Sequence, residues 1–110
     1  MRIYYVTVNT ADEARQISRV LLEQQLAVCI NWFPITCTYR WEERIVEEAE
    51  TVLLIKTQAG YRGAVEKVIR KHISYTNFIG EIEPESVNES FLEWLNKEVP
   101  VAAIAGPGGK

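Results

Sequence analysis

The polarity of the chain changes period as it is read from the amino end. Residues 2–8 hold Ile3, Tyr4, Tyr5, Val6, Thr7 and Val8, a β-branched and aromatic run that predicts a strand. Thr10 followed three residues later by Glu13 is a capping-box pattern, which opens a helix by satisfying its free N–H groups. Ala14, Ile17, Val20 and Leu21 then recur at helical spacing to about Gln25, with Asp12, Glu13, Arg15, Arg19 and Glu23 outside the stripe. Two apolar runs follow, 26–30 and 52–55, around a polar middle at 36–44. That middle has a period of two, with Tyr39 and Trp41 on one side of a strand and Arg40 and Glu42 on the other.

A reversal near Glu43 turns this stretch into a long hairpin. Phe33-Pro34 interrupts its first arm, and because proline cannot donate to a ladder it marks an edge, a bend or a bulge; the arm is expected to be bent. Ala59-Gly60 introduces a second helix from Tyr61 to His72 with Val65, Val68 and Ile69 as its apolar stripe. Residues 73–77 read as a loop and 78–83 as a short strand stopped by Pro84. Ser86 and Glu89 offer a second capping box before a short helix carrying Phe91, Leu92, Trp94 and Leu95.

Strand, helix, two strands, helix, strand and a closing helix make an α+β chain on the ferredoxin-like plan, an antiparallel sheet with helices on one face. Residues 1–98 form the expected domain, and 99–110, ending in glycine and proline, a loosely ordered tail. The runs 26–30 and 52–55 show no alternation, so both of their faces need cover. Two or three helices shield one face of a small sheet, and 110 residues leave little chain for the other. A second copy of the chain is the expected cover.

Composition, at 47% apolar and 25% charged, is that of one globular domain. A net charge of −3 with dispersed lysines and arginines argues against a nucleic-acid partner. The acidic cluster Glu42, Glu43, Glu47, Glu48 and Glu50 reads as a solvated hairpin tip or as a cation-attracting rim. The start lacks the basic and apolar regions of a signal peptide, and no run reaches membrane-spanning length, so a cytoplasmic chain with no membrane partner is expected. Cys29 and Cys37, eight residues apart on one strand, lie about 25 Å apart if extended and cannot pair.

The common functions of this plan find little support. The strand 51–56 presents aliphatics where an RNA-recognition module needs stacking aromatics. Residues 9–12 hold neither the paired thiols of a heavy-metal chaperone nor the glycine-rich anion loop of an acylphosphatase-like enzyme. One histidine and no ordered nucleophile, base and acid leave covalent catalysis without apparatus. The expectation is a binding protein, not an enzyme, with no obligatory cofactor.

Thr36-Cys37-Thr38-Tyr39-Arg40-Trp41-Glu42, followed by Val52-Leu53-Leu54-Ile55-Lys56-Thr57, resembles the CutA family of divalent-cation tolerance proteins. Leu26-Ala27-Val28-Cys29-Ile30-Asn31 is similar to that family's Leu-Ala-Ala-Cys-Val-Asn segment, and Phe91-Leu92-Glu93-Trp94-Leu95 to its Tyr-Leu-x-Trp-Leu close. Ala14 to Leu22 falls where its first helix does, and the resemblance runs from about Ile3 to Asn96. It implies a ferredoxin-like subunit in a homotrimer joined through strand edges, similar to PII-type signalling trimers, and an association with copper and other divalent cations. The family's Trp-Glu-Gly-Lys turn is here Trp41-Glu42-Glu43-Arg44, without the glycine. Its His-Pro-Tyr-Glu-x-Pro-Glu signature becomes the stretch from His72 to Glu81, without either proline and with an inserted residue. Val6-Thr7 stands where some relatives carry a first-strand cysteine.

On this resemblance the candidate metal ligands are His72 and Glu81, a two-ligand set that needs water or a neighbouring subunit to complete it. The plainer reading of His72 is a helix-end residue satisfying carbonyls. Tyr39, Arg40, Trp41, Glu42, Lys56, Tyr75 and Trp94 are the candidate lining of an intersubunit cleft, or else ordinary packing and ion-pair residues. The expected function is divalent-cation binding and tolerance by a trimer. The alternatives are a PII-like sensor of a small metabolite or anion, and a trimeric scaffold.

Overall fold

A computed structural model describes residues 1–102 of the chain. The elements run β1 (Arg2–Val8), α1 (Ala11–Glu23), β2 (Cys29–Trp41), β3 (Arg44–Thr57), α2 (Arg62–His72), β4 (Ile79–Ile82) and α3 (Glu89–Glu98). The four strands form one antiparallel sheet in the order β2-β3-β1-β4, the ferredoxin-like arrangement. β3 is central: it pairs with β1 from Arg2↔Thr57 to Val8↔Thr51 and with β2 from Cys29↔Lys56 to Trp41↔Arg44.

Period-two alternation sends Tyr4, Val6, Val8, Leu53 and Ile55 to one face, where they pack with Ala14, Ile17 and Leu21 of α1 and Val65, Val68 and Ile69 of α2. The α1 start is the expected capping box: Thr10 Oγ1 accepts from the Glu13 N–H at 3.1 Å, and the Glu13 carboxylate accepts from the Thr10 N–H at 3.2 Å. The helix ends without glycine. Gln25 takes φ 57, and the Leu26 N–H bonds back to the Leu21 carbonyl at 2.8 Å, closing a Schellman turn around a residue that tolerates the left-handed region poorly.

The register of β2 on β3 continues through Pro34↔Thr51 without a bulge, and β2 is the outer strand of the sheet, so of the readings the proline offered an edge is found and a bulge is not. Two expectations need adjustment. Asn88, not Ser86, is the residue that caps α3 in position, which puts Glu89 at the first helical residue, too early to reach back; its amide donates to Ser90 Oγ at 3.0 Å and no capping box forms. The helices also do not all lie on one face. Val28, Leu95 and Val99 form a second buried cluster, with Cys29, Phe91 and Leu92 packed against it.

That second cluster changes the layer count. α3 covers Val28 at the root of the hairpin, while Ala27, Leu53 and Ile55 lie under α1 and α2, so each of these is buried within one chain. What one chain leaves bare is elsewhere. β1 ends at Val8↔Thr51, and the seven pairs from Ile35↔Glu50 to Trp41↔Arg44 continue as a two-stranded ribbon with no third strand among the described residues. Val99 is fully buried and the Pro100 carbonyl accepts from the Tyr61 hydroxyl; the expectation of a loose tail otherwise falls largely on 103–110, outside the described residues.

Candidate functional site

The ribbon presents two sets of side chains. Ile35, Cys37, Tyr39 and Trp41 alternate onto the face away from α1 and α2, opposite Glu50, Glu48, Val46 and Arg44 of β3. The Tyr39 hydroxyl donates to Glu48 Oε1 at 2.5 Å, and that bond to a carboxylate, ahead of desolvation, pushes the phenol up to about 12. The Cys37 thiol is also pushed up, first by desolvation and then by Glu50 and Glu48. A thiol held protonated is a weak nucleophile and gives up its proton to a metal reluctantly. Arg40 lies on the other face opposite Ile45, as the alternation requires, and Glu42 sits in the turn. Trp41 and Ile45 are 58% and 69% exposed, large apolar groups in solvent at the tip.

The turn itself is strained. Glu42 has φ 49 and Glu43 φ 66, the pair of left-handed residues of a two-residue hairpin turn that normally takes Asn-Gly. Two glutamates occupy it here.

Lys56 and Trp94 lie at the opposite end of the hairpin. Lys56 sits in β3 opposite Ile3 and Cys29, with its Nζ 5.7 Å from the centre of the Phe91 ring. Trp94 packs edge-on against Phe91, 5.6 Å between ring centres, and borders a cavity of about 380 Å³ with Leu22, Gln25, Ala27, Val28 and Glu98. A second cavity, about 320 Å³, opens over Lys56 and Phe91.

His72 ends α2, and its Nδ1 is engaged by the Val68 carbonyl at 3.0 Å, the helix-end role its position suggests. Glu81 lies on β4 opposite Tyr4, with its carboxylate 2.9 Å from Arg2 Nε. No hydrogen bond or ion pair joins His72 to Glu81. Tyr75 is tied inside the subunit: its hydroxyl donates to Glu13 Oε1 at 2.6 Å and accepts from the Asn9 N–H at 2.8 Å. Burial first, and the Glu13 bond second, push this phenol well above its ordinary range. Tyr75 therefore props the α1 capping box, a role that sequence spacing does not signal.

Among the described residues no group of three or more His, Cys, Asp or Glu side chains is placed to hold a metal ion. His72 and Glu81 are the donors expected from the sequence, and neither belongs to such a group of three. The seven cleft candidates do not converge. Trp41 is twelve residues up β2 from Cys29, the partner of Lys56, so tip and root stand about 40 Å apart. Sequence reasoning missed the cavity formed by Met1, Ile3, Pro84, Ser86, Val87, Asn88, Phe91 and Lys56, because it joins both ends of the chain.

The family model described as CutA1 divalent ion tolerance protein matches residues 2–98. The chain belongs to this family. It is 33% identical over 96 residues to the divalent-cation tolerance protein CutA of Archaeoglobus fulgidus, spanning 86% of this chain and 94% of that one. It is 32% identical over 97 residues to the CutA of Thermus thermophilus, at the same coverage of each. Among solved structures, the A. fulgidus protein, described as a periplasmic divalent cation tolerance protein, superposes with TM-score 0.84 at 32% identity, covering 89% of this chain and 98% of that one. The CutA1 of Oryza sativa superposes with TM-score 0.85 at 25% identity, covering 92% and 94%. The CutA1 fold thus holds here without the turn glycine at position 43.

Proposed function

We propose that this CutA1 family member works as a homotrimer that binds a divalent cation, copper foremost, in clefts between subunits, acting by binding and not by catalysis. One observation carries the reading: the ribbon 35–50 runs seven residue pairs beyond the sheet with Trp41 and Ile45 in solvent. An isolated two-stranded ribbon is marginal in water, and a third strand or a packed surface stabilises it. A neighbouring copy supplies that surface. The 40 Å span within a chain supports the same geometry, since Tyr39, Arg40, Trp41 and Glu42 meet Lys56 or Trp94 only where the tip of one copy reaches the root of another.

A cation site follows the same logic. With His72 Nε2 and Glu81 unable to complete a coordination shell in one chain, the remaining ligands come from a second copy or from water. We place the protein in the cytoplasm, where Cys29 and Cys37, both free, stay reduced. Sedimentation equilibrium tests the assembly: a mass three times that of the chain supports it, and a single-chain mass at micromolar concentration removes the clefts. Calorimetric titration with copper tests the ligands. Binding that weakens at least tenfold in His72→Ala supports the site, and equal affinity in His72→Ala excludes that histidine.

A further inference from the structure

The basic residues of this acidic chain gather on one helix. α2 holds four of the chain's twelve lysines and arginines, Arg62, Lys67, Arg70 and Lys71, against one of its fifteen acids, Glu66, so the helix carries +3 and the rest of the chain −6. All four cations are exposed, outside the stripe of Val65, Val68 and Ile69 that meets the core. Glu66 is shared between Arg62 at 3.6 Å and Arg70 at 3.9 Å. Among the described residues Lys67 and Lys71, one turn apart, have no carboxylate within ion-pairing distance. Helix stability accounts for only half of this pattern. Arg70 and Lys71 stand in the last turn, where the dipole favours cations. Arg62 is the first helical residue, where the dipole opposes one, and the first turn has neither an acid nor a side-chain cap to offset it.

We infer that the outer face of α2 docks an acidic segment of a partner protein, its carboxylates on Lys67, Lys71 and the flanking arginines. Charge complementarity carries the choice. The helix is about 16 Å long, room for a short peptide. An extended chain sets alternate side chains about 6.6 Å apart, close to the about 5–6 Å between residues one helical turn apart. Gly63 and Ala64, small and exposed beside these cations, let a peptide backbone come close. A membrane surface fits less well, because α2 has none of the exposed large apolar side chains that an interfacial helix buries. A long nucleic acid runs off the helix on to a surface that carries −6. α2 lies on the side of the sheet opposite Tyr39 and Trp41, and of its residues the assembly proposed above uses only His72, so the face stays open whether or not that assembly holds.

Hexaglutamate peptide is the probe, with hexaglutamine as its neutral counterpart, phosphatidylserine vesicles as the lipid surface and a short DNA duplex as the long polyanion. Amide shift mapping by NMR on the isotope-labelled full chain should show hexaglutamate moving the amides of residues 62–71 at low salt, with a Kd of about 1 mM or tighter, and hexaglutamine moving none. The rest of the surface repels an acidic peptide, so the shifts should stay on α2. Raising the ionic strength to about 0.15 M should weaken binding about threefold or more. Lys67→Gln with Lys71→Gln removes the two unpaired charges from exposed positions; it should weaken the peptide about fivefold or more with the fold retained, while Lys67→Arg with Lys71→Arg keeps binding. Shifts that are absent or centred outside α2, an affinity unchanged in the double glutamine variant, or vesicles or duplex bound more tightly than the peptide, each overturn the inference.

Discussion

Replacing Glu43 with glycine should stabilise the protein, although the side chain it removes is exposed. Glu43 has φ 66 and Glu42 φ 49, so both central residues of the turn between β2 and β3 are left-handed. An L-residue with a Cβ carries roughly 1–2 kcal/mol in that region, and glycine carries almost none. Against this, the glycine loosens the unfolded chain, which costs about 0.4–1 kcal/mol. The net expectation for Glu43→Gly is a gain of about 0.5–1 kcal/mol, or a Tm higher by about 2–6 °C for a chain of this size.

The assay is a thermal melt followed by circular dichroism, with urea unfolding to give the free energy. Glu43→Ala is the control, because it removes the same carboxylate from the acidic cluster of Glu42, Glu47, Glu48 and Glu50 while keeping a Cβ. It should change stability by less than about 0.5 kcal/mol, as exposed substitutions without a backbone effect do. A Glu43→Ala variant as stable as Glu43→Gly would show that relief of charge repulsion, not of backbone strain, is responsible. A Glu43→Gly variant less stable than the parent refutes the argument outright.

Tyr75→Phe deletes the hydroxyl that donates to Glu13 and accepts from the Asn9 N–H, and should cost about 1–3 kcal/mol in urea unfolding with the fold retained. Tyr4→Phe should do the reverse, holding or raising stability by about 1 kcal/mol, since among the described residues the buried Tyr4 hydroxyl has no hydrogen-bond partner to lose. Burial, reinforced by Glu81, pushes the Tyr4 phenol up to about 12, so the folded chain holds this proton more tightly than the unfolded one; its contribution is complete below pH 10 and is lost as the pH rises towards 12, which ultraviolet titration of tyrosinate should show as a late-ionising group absent from Tyr4→Phe. Gly80→Ala places a Cβ 2.6 Å from the Phe78 ring, which must swing off its edge-on contact with Tyr5; a loss of about 1 kcal/mol in a thermal melt is expected.

The fold was legible where period and punctuation agreed. The alternation at 36–44, the helical stripe of α1 and the Thr10–Glu13 capping box each use neighbours in sequence, and each is found as expected. Ser86 misled because a capping box depends on which residue leaves the helix, and Glu89 begins α3 instead of closing its first turn. The runs 26–30 and 52–55 misled more instructively. The cover over Val28 and Cys29 is α3 of the same chain, whose ten residues looked too few to serve, while Leu26, Ile30 and Leu54 stay part-buried. The bond from Tyr75 to Glu13 spans 62 positions and the Lys56 cavity joins Met1 to Phe91, so neither leaves a trace in local spacing.

The strained turn and the bare ribbon belong to one argument. Left-handed glutamates persist only where the surroundings over-determine them, and at Glu42 and Glu43 the described residues offer the ladder behind the turn. That ladder keeps one register from Trp41↔Arg44 to Cys29↔Lys56, so the buried half of β3 fixes where the turn must fall. A slip by one residue would change which residues form the turn, but it would also send Leu53 and Ile55 to the face away from α1 and α2. Burying those side chains is worth roughly 1.5–3 kcal/mol each, more than the strain at either glutamate, so the core wins and the tip bears the cost. Strain of this origin is relieved by glycine without moving the register, and the relief reaches global stability only while the ribbon unfolds together with the sheet. A gain in the melt of Glu43→Gly therefore reports on the ribbon's coupling to the core as well as on the turn.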